Sequence, residues 1–147
     1  MADILRRIGV RASTPDNVYG ALTTLDGLSG WWAENTSGDT SLGGVIEFLF
    51  VPGGFDMRVA ELDPGRLVRW DVVGDPAEWV GTSIQWDLRQ DGDYTIVLFK
   101  HQGWREPVEF MYHCSTKSAT FQLSLKQLLE TGTGAPDPRD VKISDWH

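Results

Sequence analysis

The 147-residue chain carries 13 Lys plus Arg against 21 Asp plus Glu, a formal net charge of −8. Binding to nucleic acid or to an anionic membrane surface relies on clustered Lys and Arg, so this balance argues against both partners. With one Cys and three scattered His the chain can form neither an internal disulfide nor a cysteine-ligated zinc site, and a single domain of this length buries about 70% of its unfolded surface without such staples.

Residues 3–12 (DILRRIGVRA) read as a first strand. The start lacks the apolar core of a secretory leader, and no apolar run approaches a membrane span, so a cytoplasmic location is expected. Ser13-Thr14-Pro15-Asp16 is a helix start: a hydroxyl cap, Pro at the first helical position and an acid in the first turn. Val18, Leu22 and Leu25 then recur at spacings of four and three, which gives a short amphipathic helix. Gly27 and Gly30 are expected to interrupt it, and Leu28, Trp31 and Trp32 fall in a second short piece, helical or not.

The middle of the chain is a meander of strands. Val51-Pro52-Gly53-Gly54, Asp63-Pro64-Gly65-Arg66 and Gln90-Asp91-Gly92-Asp93 read as its tight turns. If each turn is two residues long, the first sets Phe50 opposite Phe55, Phe48 opposite Met57 and Ile46 opposite Val59. The second sets Val59 opposite Trp70 and Met57 opposite Val72. The third sets Leu88 opposite Thr95, Trp86 opposite Val97 and Ile84 opposite Phe99. All of these side chains then share one apolar face, while Glu47, Arg58 and Asp71 form a charged cross-strand row on the other, beside Arg69, Gln85, Asp87 and Arg89. A sheet with one apolar and one charged face is antiparallel and covered on one side.

The cover is a helix from about Cys114 to Thr131. Cys114, Ser118, Phe121, Leu125, Leu128 and Leu129 share one of its faces, and Leu123 points away. Gly132 and Gly134 end the helix, with Pro136 and Pro138 beyond.

The stretch HQGWREPVEFMYHCSTKSATFQLSLKQLLETGTGAPDP and the early Trp31-Trp32 pair carry a family resemblance. A Gly-Trp after the last strand leads through His113-Cys114-Ser115-Thr116-Lys117 into the helix, which closes on Leu-Leu-Glu-Thr-Gly-x-Gly-x-Pro. The chain resembles the START-like (Bet v 1-like, SRPBCC) superfamily, and within it the bacterial activator of Hsp90 ATPase homologue-like (AHSA1-like) family. The resemblance implies an α+β helix-grip fold: a curved antiparallel six-stranded sheet wrapped round a long C-terminal helix, with two short helices after the first strand. It places the domain at residues 1–135 and a tail at 136–147. It also implies a cavity between sheet and helix, which suits a small hydrophobic or aromatic ligand in a carrier, sensor or sequestering role. Ser118 stands where relatives carry a large aromatic, which enlarges or wets that space.

The inward residues Met57, Val59, Trp70, Trp86, Phe99, His101, Ser118 and Phe121 are the candidate lining. His101 is inward by alternation and faces Thr82 in the hairpin count; Glu61 is inward by the same count. Either could serve as acid or base if the domain is a polyketide-cyclase-like or dehydratase-like enzyme. His113 and Cys114 are adjacent, so on a helix they point about 100° apart and do not pair as base and nucleophile; Cys114 reads as a small buried hydrophobe. Trp79 and Trp104 fall in loops and either form a lid or cap the ends of the core. No catalytic constellation is recognisable and no cofactor or metal is expected, the glycine pairs having no following helix to cradle a phosphate. The remaining alternative is a protein-binding, co-chaperone-like module acting through the acidic outer face, and a homodimer is left open.

Overall fold

Apolar and polar residues alternate in the central strands, and that period of two gives the sheet one buried face. The computed structural model describes residues 2–50, 53–74 and 76–147. In chain order the elements are β1 (Ala2–Arg11), α1 (Pro15–Thr23), α2 (Leu25–Trp31), β2 (Asn35–Gly38), β3 (Val45–Leu49), β4 (Gly54–Asp63), β5 (Leu67–Val72), β6 (Ser83–Asp91), β7 (Tyr94–Trp104) and α3 (Glu109–Thr131). The strands form one antiparallel sheet in the order β1-β7-β6-β5-β4-β3-β2. This is the expected helix-grip architecture with one strand more than the six anticipated. The addition, β2, has the sequence Asn-Thr-Ser-Gly, which carries no hydropathic period, and it pairs only with β3 at the sheet edge.

Local chemistry sets the helix ends. Thr14 Oγ1 accepts from Asn17 N at 3.2 Å ahead of Pro15, and Thr24 Oγ1 accepts from Gly27 N at 3.0 Å to start α2. The break therefore falls at Thr24, and Leu25, Gly27 and Gly30 lie inside α2 rather than ending α1. Helix α3 begins at Glu109, one turn or more before the expected start, because Cys114 is the first apolar residue of the buried stripe but not of the helix. It stops at Gly132, whose φ of 90° suits glycine and whose N–H reaches Leu128 O at 2.8 Å.

The hairpin counts need correction, in a way that leaves the faces intact. Phe48 pairs with Phe55 and Ile46 with Met57, two residues away from the count; Val51 and Pro52 of that turn lie outside the described residues. Leu88 pairs with Val97, Trp86 with Phe99 and Ile84 with His101, again a shift of two, because the turn is made by Gly92-Asp93 rather than Asp91-Gly92. An even slip returns every side chain to its own face, which is why the apolar set is buried or half-buried as expected. Between β4 and β5 the pairs Met57–Val72 and Val59–Trp70 are as counted, but a bulge follows at Ala60. The bulge turns Glu61 to the outer face, opposite Arg69, so Glu61 is not an inward carboxylate. The charged row also differs: Arg58 does face Asp71, but Glu47 faces Asp56 rather than Arg58.

Helix α3 lies closest to β1 and α2 and is held away from the central strands by large side chains. It also closes the free edge of β1. Lys126 Nζ donates to Gly9 O at 2.5 Å, Glu130 Oε2 accepts from Arg11 N at 2.7 Å, and the Arg6 guanidinium donates to Ser115. Residues after α3 run back over the domain. Asp137 exchanges backbone hydrogen bonds with Trp32 O (2.7 Å) and Glu34 N (3.0 Å), and Ser124 Oγ joins Trp31 O (2.7 Å) to Ala135 N (2.8 Å). The buried Lys117 ammonium pairs with the buried Asp140 carboxylate and donates to Val141 O at 2.8 Å. Asp140 also accepts from the half-exposed Lys142 at 3.0 Å, so removing Lys117 leaves the buried carboxylate only partly compensated. Lys117→Met is therefore expected to lower unfolding free energy by about 3 kcal/mol in urea denaturation, with Asp140→Leu restoring part of the loss when combined with it.

Candidate functional site

Because α3 stands off the central strands, the interior is filled unevenly. Trp31 and Trp32, at the C-terminal end of α2, occupy one part of it. They stack on each other at 5.3 Å between ring centroids, and Trp32 stacks on Trp70 at 5.8 Å and packs on Phe48 at 4.7 Å. Beyond them lies a cavity of about 290 Å³, close to the lower bound of roughly 300 Å³ for small-molecule pockets. Trp86 and Phe99 from β6 and β7, packed edge to face at 5.4 Å, form its sheet wall, with Ile84 and His101. Phe121, Ser118 and Cys114 from α3 form the helix wall. Phe55 and Trp79, stacked 4.1 Å apart, form a third side.

Five of the eight expected lining residues thus meet at one cavity: Trp86, Phe99, His101, Ser118 and Phe121. Met57, Val59 and Trp70 are not on its wall. They sit on β4 and β5, fully buried, with Trp70 packed against Trp32 and Phe48. The wall also contains residues that hydropathy alone assigns to the surface: Lys117, Gln122, His113 and His147. Lys117 and Gln122 flank the apolar positions of α3 at spacings of three, four and eight residues, and that helical period is the one signal that places them inward. His147 is brought to the wall by the returning tail, which no local pattern could reveal; its Nε2 lies 3.2 Å from that of His113.

The wall is electrically quiet. His101 is 3% exposed, and its Nε2 lies 2.8 Å from Thr82 Oγ1. The Thr82 hydroxyl donates to Trp79 O at 2.6 Å, so His101 must donate to Thr82 through Nε2–H, which fixes the Nε2–H tautomer of the neutral ring. Burial pushes its pKa down to about 3, with Asp3 pulling weakly the other way. Burial likewise lowers His113 and His147, each also disfavoured as a cation by Lys117. Burial pushes the Cys114 thiol up to about 12, so it stays protonated and is no nucleophile. Lys117, the wall's one ammonium among the described residues, is neutralised by Asp140. Among the described residues no group of three or more His, Cys, Asp or Glu could hold a metal ion, and no helix is long and apolar enough to cross a membrane. Trp104 is buried at the end of the core against His101, 5.0 Å between rings.

An antiparallel sheet gripping one long C-terminal helix defines the START-like, Bet v 1-like class. Within that class the Aha1 of Colwellia psychrerythraea, whose solution structure is of a dimer, is 44% identical to this chain, with a TM-score of 0.84 over 91% of this chain and 100% of that one. The chain belongs to this AHSA1-like family. SSP2350 from Staphylococcus saprophyticus (16% identity, TM-score 0.75, 90% of this chain and 95% of that one) has the same fold. So does DynU16 of the dynemicin biosynthetic locus (21% identity, TM-score 0.75, 90% of this chain and 48% of that one). No protein-family model matches the sequence, and no curated protein does.

The buried neutral His101 makes stability depend on pH. The unfolded chain binds a proton near pH 6.5 that the folded chain refuses until about pH 3, so stability falls as pH drops through 6.5 and this loss is complete near 3. Within that window the His101 contribution costs at most about 1.4 kcal/mol per pH unit. Urea denaturation at pH 7, 6, 5 and 4 should show His101→Leu flattening the slope by up to one proton equivalent.

Proposed function

We propose that this protein binds a small hydrophobic or aromatic molecule in the cavity between sheet and α3, as a carrier, sensor or sequestering protein. The observation that carries the reading is a largely apolar cavity of about 290 Å³ walled by Trp, Phe and a few convergent polar groups, the usual form of a small-molecule site. Aromatic walls favour flat rings, which gain from stacked and edge-to-face contact. The polyketide-cyclase-like alternative has less support. Glu61 lies on the outer face, the Cys114 thiol is held protonated, and His101 is tied to Thr82 with its pKa pushed down to about 3.

Native mass spectrometry of the purified protein tests the reading directly: a retained molecule, released on denaturation, is the expected result. Ser118→Phe places a ring at the cavity wall and is expected to abolish retention of that molecule while the circular-dichroism spectrum stays unchanged. Retention by the Ser118→Phe variant at the native level would place the ligand elsewhere.

A second reading, self-association, is favoured by one observation: the 44% identical Colwellia protein was solved as a dimer. We propose that this chain forms a homodimer as well. Light scattering coupled to size-exclusion chromatography should then give twice the 16.4 kDa chain mass.

A further inference from the structure

We propose that Gln122 is a hydrogen-bond donor of the cavity, and that it selects an uncharged aromatic ligand bearing a carbonyl-type acceptor. The inference rests on the cavity being a ligand site, as proposed above, and adds what the ligand must carry.

The orientation of the Gln122 amide follows from its neighbour. Trp86 Nε1 lies 3.4 Å from Gln122 Oε1. An indole N–H can only donate, so the amide must turn its oxygen to Trp86 and its NH2 group away from it. Among the described residues no acceptor pairs with that NH2 group, although Gln122 is 2% exposed and lies on the cavity wall. The NH2 group is open to the cavity rather than sealed in the core, and on the same wall the Trp79 Nε1–H is buried without a hydrogen-bond partner. A ligand acceptor there meets donors that no protein group among the described residues satisfies. The surrounding wall sets the rest of the ligand. Trp86, Phe99, Phe121 and Trp79 offer ring faces and edges on three sides. Among the described residues the one wall ammonium, Lys117, already holds Asp140 and Val141 O, so neither an anion nor a cation finds an unpaired counter-charge among them. Burial keeps His101 and Cys114 neutral, in agreement with that requirement. A charged ligand would lose its hydration without replacement, whereas a neutral ring with one acceptor loses little.

The test uses acetophenone, its near-isosteric hydrocarbon ethylbenzene, and benzoate, titrated into the intact protein and into Gln122→Met with nitrogen–proton correlation spectra as the readout. Ethylbenzene is the more hydrophobic probe, so the informative quantity is the ratio of the two neutral dissociation constants. That ratio, acetophenone over ethylbenzene, should rise about tenfold in Gln122→Met, and benzoate should bind the native protein at least about tenfold more weakly than acetophenone. In the native protein the Gln122 side-chain NH2 signals should move with acetophenone and stay in place with ethylbenzene. That comparison decides the question even if the variant does not fold. An unchanged ratio, or NH2 signals that move equally with both probes, overturns the role of Gln122 while leaving the cavity a binding site. Benzoate binding tighter than acetophenone overturns the requirement for a neutral ligand. If neither neutral probe perturbs the wall residues, the cavity reading itself falls, and this inference with it.

Discussion

The interior depends on the Trp31-Trp32 pair at the end of α2. These two rings are driven between α3 and the sheet: Trp31 is anchored by its N–H to Ala21 O at 2.9 Å, and Trp32 lies flat on Trp70. Two indoles fill one part of the space and prop the helix away from the central strands. The rest of the space is then neither filled nor collapsed, because α3 is fixed at its other contacts by β1 and by the returning tail. The cavity is the remainder of that arrangement. It persists because the elements around it are held by contacts at its edges and beyond it, to β1 and to the tail.

The same geometry explains the polar groups at the wall. In a close-packed core Gln122 or Lys117 would be expelled toward water, since unpaired polar groups are costly there. Here partners come from a distance in sequence: Trp86 of β6 meets the Gln122 oxygen, leaving its NH2 group to the cavity, and Asp140 of the tail meets Lys117. The histidines obey the same rule, His101 held by Thr82 and His113 facing His147 and Ser144. A wall of neutral or neutralised groups around aromatic rings discriminates by shape and by single hydrogen bonds rather than by charge. The acidic outer surface has no bearing on it.

The faces of the strands were legible because side-chain direction has a period of two, and the errors in pairing were themselves of two residues. The turn Gln90-Asp91-Gly92-Asp93 offers more than one two-residue loop, and sequence alone does not choose among them. Glu61 shows the opposite case. One extra residue at Ala60 is invisible in the pattern, and it reverses the direction of the side chain that follows. The helix stripe of Cys114, Phe121 and Leu125 was equally legible, since these residues repeat at helical spacing and are buried as expected.

By itself, then, the sequence determined the order of the elements other than the edge strand β2, the buried face of the sheet, the Thr14 cap of α1, the glycine stop of α3 and the family, because each is written in local periods, turn residues and capping side chains. Tertiary structure alone decided which aromatics became core and which became wall. Trp70 and Trp86 both point inward from neighbouring strands, yet one lies beneath Trp32 and the other faces open space. That difference depends on where a helix end more than 30 residues earlier in the chain comes to rest. It also depends on a tail that folds back from the far end of the chain. No local period carries either distance.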